Sequence, residues 1–226
     1  MRFTKGLPWH VIITAILLVI VTVTFFMLKE VKLPPAIVLD THEQPTIGFP
    51  NAPVHIVVFE EVKCEECRQF TQEIYPKIKK KYLDTQRIQY TVIPVSFIPG
   101  SMNAAESLIC VYLQDRKYPN AELFFEYLDY IYKHQGNEQE DWATLSKIIE
   151  MAKATSPAID LDMMKQCVIR DAFRTRIIKN TNYARALMGG KIATPAIFVN
   201  GILLKDISYD RLVDLIEAAL QKTGTP

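Results

Sequence analysis

Two cysteines separated by two glutamates, Cys64-Glu65-Glu66-Cys67, form the motif in this chain that is best suited to chemistry. Thiols at this spacing can close into a disulfide and open again, so the pair can accept or deliver two electrons by thiol–disulfide exchange. The attacking species in such exchange is a thiolate. The motif therefore predicts a redox pair, provided that the chain stabilises a negative charge on one of its sulfurs.

The residues on either side of the motif predict a strand followed by a helix. Val54–Phe59 is rich in β-branched and aromatic residues, which favour a strand. Downstream, apolar residues recur at the spacing of one helix face: Cys67, Phe70, Ile74 and Ile78. The first cysteine is therefore expected at a helix N-terminus, where unpaired backbone N–H groups and the helix dipole stabilise a thiolate.

The position of each cysteine predicts its role. Cys64 precedes the helix and is expected to be exposed, so we predict it to be the nucleophile, with Cys67 on the apolar face as the resolving thiol. The alternative is half of a structural zinc site, which needs four ligands. The other candidate ligands do not pair at ligand spacing: Cys110, Cys167, His42, His55 and His134. We therefore predict redox chemistry that needs no metal or organic cofactor.

Composition and charge exclude one class of partner. The 26 basic residues balance 25 acidic residues, and no basic cluster is interleaved with aromatic residues. No net field therefore favours nucleic acid. The chain has 226 residues, of which 49% are hydrophobic, enough for one sizeable globular domain.

The N-terminal segment predicts a membrane anchor. After a tail at residues 1–8, residues 9–28 carry no formal charge apart from His10, and this length can span a bilayer at about 1.5 Å per residue. A cleaved signal peptide is the alternative, but its apolar core is usually shorter and ends in a small-x-small site. This segment ends in Phe25-Phe26-Met27-Leu28-Lys29. An uncleaved anchor is therefore favoured.

Charge alone does not orient this anchor, because the positive charges on its two flanks are nearly balanced. The four cysteines fit an oxidising compartment, where disulfides persist. We therefore expect the catalytic domain in the periplasm or another extracytoplasmic space.

The rest of the chain predicts a thioredoxin-type α/β sheet interrupted by an all-helical subdomain. Prolines at 34, 35 and 45 mark residues 29–45 as a linker. The predicted boundaries are residues 46–100 for the first part of the sheet domain, 101–189 for the helical insert and 190–226 for the second part. The predicted elements are a strand at Val54–Phe59, a helix from the motif to Tyr82, a strand at Ile88–Pro94, insert helices at Ala104–Leu113, Leu123–Tyr132, Trp142–Met151 and Asp162–Ala186, a hairpin turning at Asn200-Gly201, and a last amphipathic helix.

Three stretches together resemble the DsbA family of thiol–disulfide oxidoreductases, in particular its BdbD-like branch. They are Ile47–Val54 with the cysteine motif, Pro99-Gly100-Ser101 before an Ala-rich helix, and Thr194-Pro195-Ala196-Ile197-Phe198-Val199-Asn200-Gly201. The resemblance covers about residues 46–222. It implies that Pro195 is a cis-proline packed against the cysteines and that Thr194 holds the main chain of the substrate. Without the resemblance, Pro195 could be an ordinary edge proline.

The resemblance also implies a second, non-catalytic disulfide between Cys110 and Cys167, since similar positions carry one in some members. The alternative is that both are small buried core residues with free thiols. The function that the resemblance implies is dithiol–disulfide exchange in cysteine-containing exported proteins, with a membrane or thiol redox partner that recycles the pair. A reductase or isomerase, or a redox-inert binding or chaperone module, are the alternatives.

Two features depart from the family or tune its chemistry. Many thioredoxin-like proteins have a buried acid six positions before the first cysteine, where this chain has Val58; Glu60 and Glu61 lie at other positions. The position that would hold the acid of a direct proton relay is therefore apolar in this chain. Glu65 and Glu66 place like charge beside the reactive sulfur, which disfavours the thiolate and predicts a less oxidising protein.

Overall fold

The structure is a computed structural model that describes residues 9–27 and 34–224. Parts of the predicted organisation lie outside the described residues: the tail at residues 1–8, Leu28 with residues 29–33 of the linker, and residues 225–226. The described residues belong to two compact units, which divide after Pro34.

Among the described residues of the first unit, Trp9–Met27 form helix α1. Its bounds match the apolar segment predicted from the sequence almost residue for residue. Within the described ranges, no helix meets the length and hydropathy required to cross a membrane.

The second unit is built on a five-stranded sheet in the order β1-β3-β2-β4-β5. The strands are β1 Thr46–Gly48, β2 Val54–Glu61, β3 Ile88–Val95, β4 Ala196–Val199 and β5 Ile202–Leu203. Strands β2 and β3 are parallel, and the other neighbouring strands are antiparallel. Because β2 lies at the centre and is almost entirely buried, its C-terminal end has a fixed position in the fold.

The sheet contains one strand that the sequence did not predict and one hairpin that it did. The strand at Val54–Phe59 is the first one predicted, but Thr46–Gly48 forms an earlier strand, β1, which pairs with β3 through Ile47 and Tyr90. A strand of three residues is too short for alternation to reveal it. The hairpin between β4 and β5 is confirmed, since Asn200 and Gly201 both have positive φ, 46° and 78°.

The helix that follows the cysteine motif is irregular. It begins with α2 at Glu65–Gln69 and includes α3 at Tyr75–Ile78, with π-helical turns at Phe70–Ile74 and Lys79–Leu83. Pro76 lacks a backbone N–H and cannot complete a regular α-helix, which accounts for a distortion before it. The helical run ends one residue beyond the predicted end.

The helical insert consists of α4 Met102–Tyr112, α5 Ala121–Lys133, α6 Leu145–Thr155, α7 Leu161–Ile169 and α8 Arg174–Leu187. The predicted start of α6 at Trp142 is wrong, because the Thr144 side chain accepts the Lys147 N–H at 3.3 Å and caps the helix there. The predicted continuous helix at 162–186 is also wrong, since α7 and α8 are separate.

Asp171 separates α7 from α8, with a left-handed φ of 50°. The buried carboxylate of Glu106 then accepts the backbone N–H groups of Phe173 at 2.8 Å and Arg174 at 3.1 Å. Glu106 lies far away in sequence, on α4, so periodicity within 162–186 carries no sign of this break.

The last helix, α9, spans Tyr209–Lys222. One large hydrophobic core includes residues of the sheet, of the helix after the cysteine motif, of the insert and of α9. A smaller cluster lies on the opposite face of the sheet and includes residues of α8. The sheet and the insert thus share one core, which holds the end of β2 firmly beneath the cysteines.

Candidate active site

The cysteine pair lies where β2 ends and α2 begins. Cys64 is the N-cap residue of α2, with extended backbone angles, and its Sγ atom accepts the Cys67 N–H at 3.4 Å. Cys64 is 4% exposed and Cys67 is completely buried. The prediction that Cys64 is exposed is therefore wrong, because the loop that contains Thr194 covers its sulfur.

The pKa values of the two thiols shift in opposite directions. Hydrogen bonding from the Cys67 side chain lowers the pKa of Cys64, burial opposes this effect, and the Cys67 N–H adds to the lowering. Burial, followed by the proximity of Cys64, raises the pKa of Cys67. At a given pH the thiolate is therefore more stable on Cys64 than on Cys67.

The loop before β4 lies against the reactive sulfur. The Thr194–Pro195 peptide bond is cis, as the resemblance implied. The Cys64 thiol donates to the Thr194 carbonyl oxygen at 3.3 Å. Two segments that are far apart in sequence thus meet at the Sγ atom of Cys64.

The two glutamates of the motif occupy different environments, although both are exposed. Glu65 pairs with Arg68, with 2.6 Å between Oε1 and Nη2. Glu66 places Oε2 3.5 Å from the Cys64 sulfur, and its charge raises the pKa of Cys64. Of the two residues predicted to tune the pair, Glu66 is the one in contact with the reactive sulfur.

Lys63, the residue immediately before Cys64, is turned into the protein. Its side chain is buried, and its Nζ atom donates to the Pro99 carbonyl at 2.7 Å. A further acid lies beside the motif, since Glu138 of the insert accepts the backbone N–H of Glu65 at 3.2 Å. Sequence reasoning missed Glu138, which has no motif of its own.

Two carboxyl groups that the sequence analysis named without giving them a role lie beneath the motif. Glu60 and Glu61 are 2% and 0% exposed, and burial is the main cause that raises their pKa values to about 7 and about 8. Tyr90 donates to one oxygen of Glu60 at 3.4 Å, and the Lys63 N–H donates to one oxygen of Glu61 at 3.2 Å. The other oxygen of each carboxyl group has no hydrogen-bond partner among the described residues.

These two residues change the interpretation of Val58. Although the position six residues before Cys64 is apolar, buried acids reach the same neighbourhood from the end of β2. The available signal was a pair of acids that ends a strongly apolar strand immediately before the cysteine motif.

Cys110 on α4 and Cys167 on α7 form a disulfide with an S–S distance of 2.03 Å. The bond joins two helices of the insert across 57 residues of sequence. Neither residue belongs to the Cys64–Cys67 motif, whose two cysteines are free.

One group of possible metal ligands converges within the described residues, namely Cys64, Glu66 and Glu138, whose ligand atoms lie within 4.8 Å of one another. The histidines considered from the sequence are not members of it: His42, His55 and His134. Two acids beside one cysteine do not complete the four-ligand set of a structural zinc site.

Comparison with known proteins matches this architecture. The family model described as Thioredoxin matches residues 40–218. "Probable disulfide bond formation protein D" of Bacillus cereus is 26% identical over 210 residues, which cover 92% of this chain and 93% of the relative. "Disulfide bond formation protein D" of Bacillus subtilis is 27% identical, over 79% of this chain and 78% of the relative.

Two crystal structures are similar over most of their length. The structure of Chlamydia trachomatis DsbA is 35% identical with a TM-score of 0.75, covering 84% of this chain and 98% of that chain. The structure of oxidised BdbD from Bacillus subtilis is 26% identical with a TM-score of 0.74, covering 84% of this chain and 100% of that chain.

Proposed function

Because this chain belongs to the thioredoxin family and is a DsbA-like thiol–disulfide oxidoreductase, we propose that it exchanges disulfides with cysteine pairs of exported proteins. One observation carries the proposal. The Sγ atom of Cys64 lies at a helix N-terminus, 3.4 Å from the Cys67 N–H and 3.3 Å from the Thr194 carbonyl. The N–H stabilises a thiolate on Cys64, and the carbonyl contact places the Thr194 loop beside the sulfur, where a substrate segment would bind.

The exchange would proceed in two steps. In the oxidising direction, a substrate thiolate attacks Cys64 in the Cys64–Cys67 disulfide, forming a mixed disulfide and releasing Cys67. The thiolate of the second substrate cysteine then attacks the sulfur of the first substrate cysteine in the mixed disulfide and releases Cys64 as a thiolate. Two electrons pass from the substrate to the protein, and the substrate gains a disulfide. In the reverse direction, Cys64 attacks and Cys67 resolves.

The buried acids can donate a proton to Cys67 and accept one from it. Cys67 has a raised pKa and must gain a proton when it leaves as a thiolate, or lose one when it attacks. Glu60 is near enough to raise the pKa of Cys67, and its own pKa of about 7 allows it to hold or release a proton under physiological conditions. Glu61, with a pKa of about 8, is the second candidate.

The substrate main chain is assigned to Thr194 and Pro195. These residues lead directly into β4, and the Thr194 carbonyl already contacts Cys64. An extended substrate segment laid along this loop would bring its cysteine to Cys64, with main-chain hydrogen bonds that do not depend on sequence.

A membrane location is proposed from the sequence. Residues 9–28 have no formal charge other than His10, and α1 covers nearly all of them. The Cys110–Cys167 disulfide supports placing the folded unit in an oxidising, extracytoplasmic compartment. A membrane or thiol redox partner would then restore the catalytic pair after each cycle.

The contact between Glu66 and Cys64 favours a second candidate within the same chemistry. A carboxylate 3.5 Å from the sulfur disfavours the thiolate, and a less stable thiolate makes the disulfide form less oxidising. Mild oxidation, isomerisation or reduction would suit such a protein.

The deciding experiment uses the full-length protein in neutral detergent, oxidised beforehand with glutathione disulfide. We expect it to convert a reduced two-cysteine peptide into its disulfide, and the Cys64→Ser variant to be inactive. Peptide oxidation that continues in the Cys64→Ser variant, or its absence in the parent, would contradict the proposed function.

A further inference from the structure

Two acidic side chains from separate parts of the fold flank the reactive sulfur. Glu66 lies on the first turn of α2, and Glu138 lies in the segment between α5 and α6 of the insert. The Glu66 Oε2 atom is 3.5 Å from the Cys64 sulfur, and the ligand atoms of all three residues lie within 4.8 Å of one another. The sulfur is thus bordered by two carboxylates, one exposed and one half-buried.

Nearby cations do not neutralise these two carboxylates. Arg68 is paired with Glu65, and buried Lys63 donates to the Pro99 carbonyl. Among the residues that the structure describes, neither Glu66 nor Glu138 forms an ion pair. The carboxylates of Glu66 and Glu138 beside Cys64 therefore carry negative charge that no ion pair neutralises.

A substrate that reacts at Cys64 comes close to Glu66 and Glu138. Formation of the mixed disulfide brings the substrate sulfur to about 2 Å from the Cys64 sulfur. The residues next to the substrate cysteine then lie beside Glu66 and Glu138. Because a charged side chain reaches several ångströms from its backbone, a lysine or arginine there can contact either carboxylate, whereas an acidic side chain is repelled.

We propose that Glu66 and Glu138 are specificity-determining residues that select substrates with lysine or arginine beside the reacting cysteine. This inference rests on the proposed function, since it assumes that peptides react at Cys64. Exposed ion pairs are weak, so we expect the preference for a basic over an acidic peptide to be about fivefold at low salt. Screening should reduce this preference as the salt concentration rises.

The test compares three two-cysteine peptides that differ only in the residues flanking one cysteine: lysine, glutamine or glutamate. The full-length oxidised protein in neutral detergent reacts with them in buffer containing EDTA, which removes free divalent cations. The measured quantity is the ratio of kcat/KM between the lysine and glutamate peptides. A ratio cancels any change in the intrinsic reactivity of Cys64.

The matched variants are Glu66→Gln with Glu138→Gln, and Glu122→Gln with Glu126→Gln on α5. The first pair removes the two charges while leaving an amide oxygen at position 138 to accept the Glu65 N–H. The second pair removes the same net charge from a groove at the far end of the motif helix. We expect the first pair to abolish the preference and the second to retain it.

Equal rates for the three peptides with the parent protein would overturn the inference while leaving the proposed function intact. A preference that survives in the Glu66→Gln, Glu138→Gln variant would overturn it as well. If the parent oxidises none of the peptides, the proposed function itself fails, and the charge selection fails with it.

Discussion

Glu66 contacts the sulfur of Cys64, with 3.5 Å between Oε2 and Sγ, and its charge opposes the hydrogen bonds that stabilise the thiolate there. Glu65, its neighbour in sequence, is paired with Arg68 instead. Two adjacent residues of the same type thus affect the Cys64 thiol to different extents, because one points toward the sulfur and the other along the helix.

The first prediction follows from this difference. Glu66→Gln should lower the Cys64 pKa and raise the reduction potential, by up to about 30 mV, which corresponds to a tenfold change in the exchange equilibrium. Glu65→Gln is the matched control and should change the potential less. Equilibration with glutathione gives the potential, and the pH dependence of thiolate absorbance gives the pKa. Equal effects of the two substitutions would contradict the assignment.

The second prediction separates the roles of the two cysteines. Cys67→Ser should accumulate mixed disulfides with substrate through Cys64, because the remaining thiolate can attack but nothing resolves the product. Cys64→Ser should lose turnover. Mass spectrometry of the trapped adducts identifies the bonded cysteine, and adducts found on Cys67 would reverse the assignment.

The third prediction concerns Glu60 and Glu61. Burial raises their pKa values from 4.5 to about 7 for Glu60 and about 8 for Glu61. At a pH between 4.5 and the raised pKa of each group, the native state therefore binds more protons than the unfolded state. The free energy of unfolding should therefore fall as the pH rises from about 4.5 to about 8, by at most about 1.4 kcal/mol for each unit of pKa difference.

Urea unfolding across this pH range measures the effect in the parent, in Glu60→Gln and in Glu61→Gln. Each substitution keeps the shape of the side chain but removes its titration, so each should flatten the decrease. If Glu60 also exchanges a proton with Cys67, Glu60→Gln should slow resolution of the mixed disulfide more than Glu61→Gln does. Variants whose stability decreases as steeply as that of the parent would rule out these groups as its source.

The fourth prediction concerns the disulfide of the insert. Replacing Cys110 and Cys167 by alanine should lower the free energy of unfolding by about 2–4 kcal/mol, since the bond restricts a long loop of the unfolded chain. Thermal melting of the double variant checks this. In the parent, mild reductant should free two thiols per chain, and alkylation of the other two should require denaturation or stronger reduction. Four thiols reacting together would argue against the structural role.

The fifth prediction concerns residues 9–28. If they anchor the protein, the full-length chain should stay with membranes after a carbonate wash, and protease added to the outer side should digest the folded unit. Recovery of a soluble form that begins near residue 30 would instead identify a cleaved signal peptide.

Local pattern was sufficient for the features that depend on backbone preference. The β-branched run of β2, the apolar spacing after Cys67 and the Asn200-Gly201 turn each favour a local conformation, and each appears in the structure where predicted. The order of these elements predicted the sheet with its helical insert. Where a partner distant in sequence intervenes, as Glu106 does between α7 and α8, periodicity failed.

The electrostatic environment of Cys64 and Cys67 was decided only by tertiary structure. The sequence places Glu60 and Glu61 at the end of an apolar strand, but the depth of their burial and the contact of Glu138 with the Glu65 N–H depend on segments that are distant in sequence. Burial and distance set the pKa of a group and the strength of its charge, and both depend on which segments pack together. The sequence therefore predicts disulfide exchange at Cys64 and Cys67, whereas packing of the insert and of the Thr194 loop around them sets the pKa values of the two thiols.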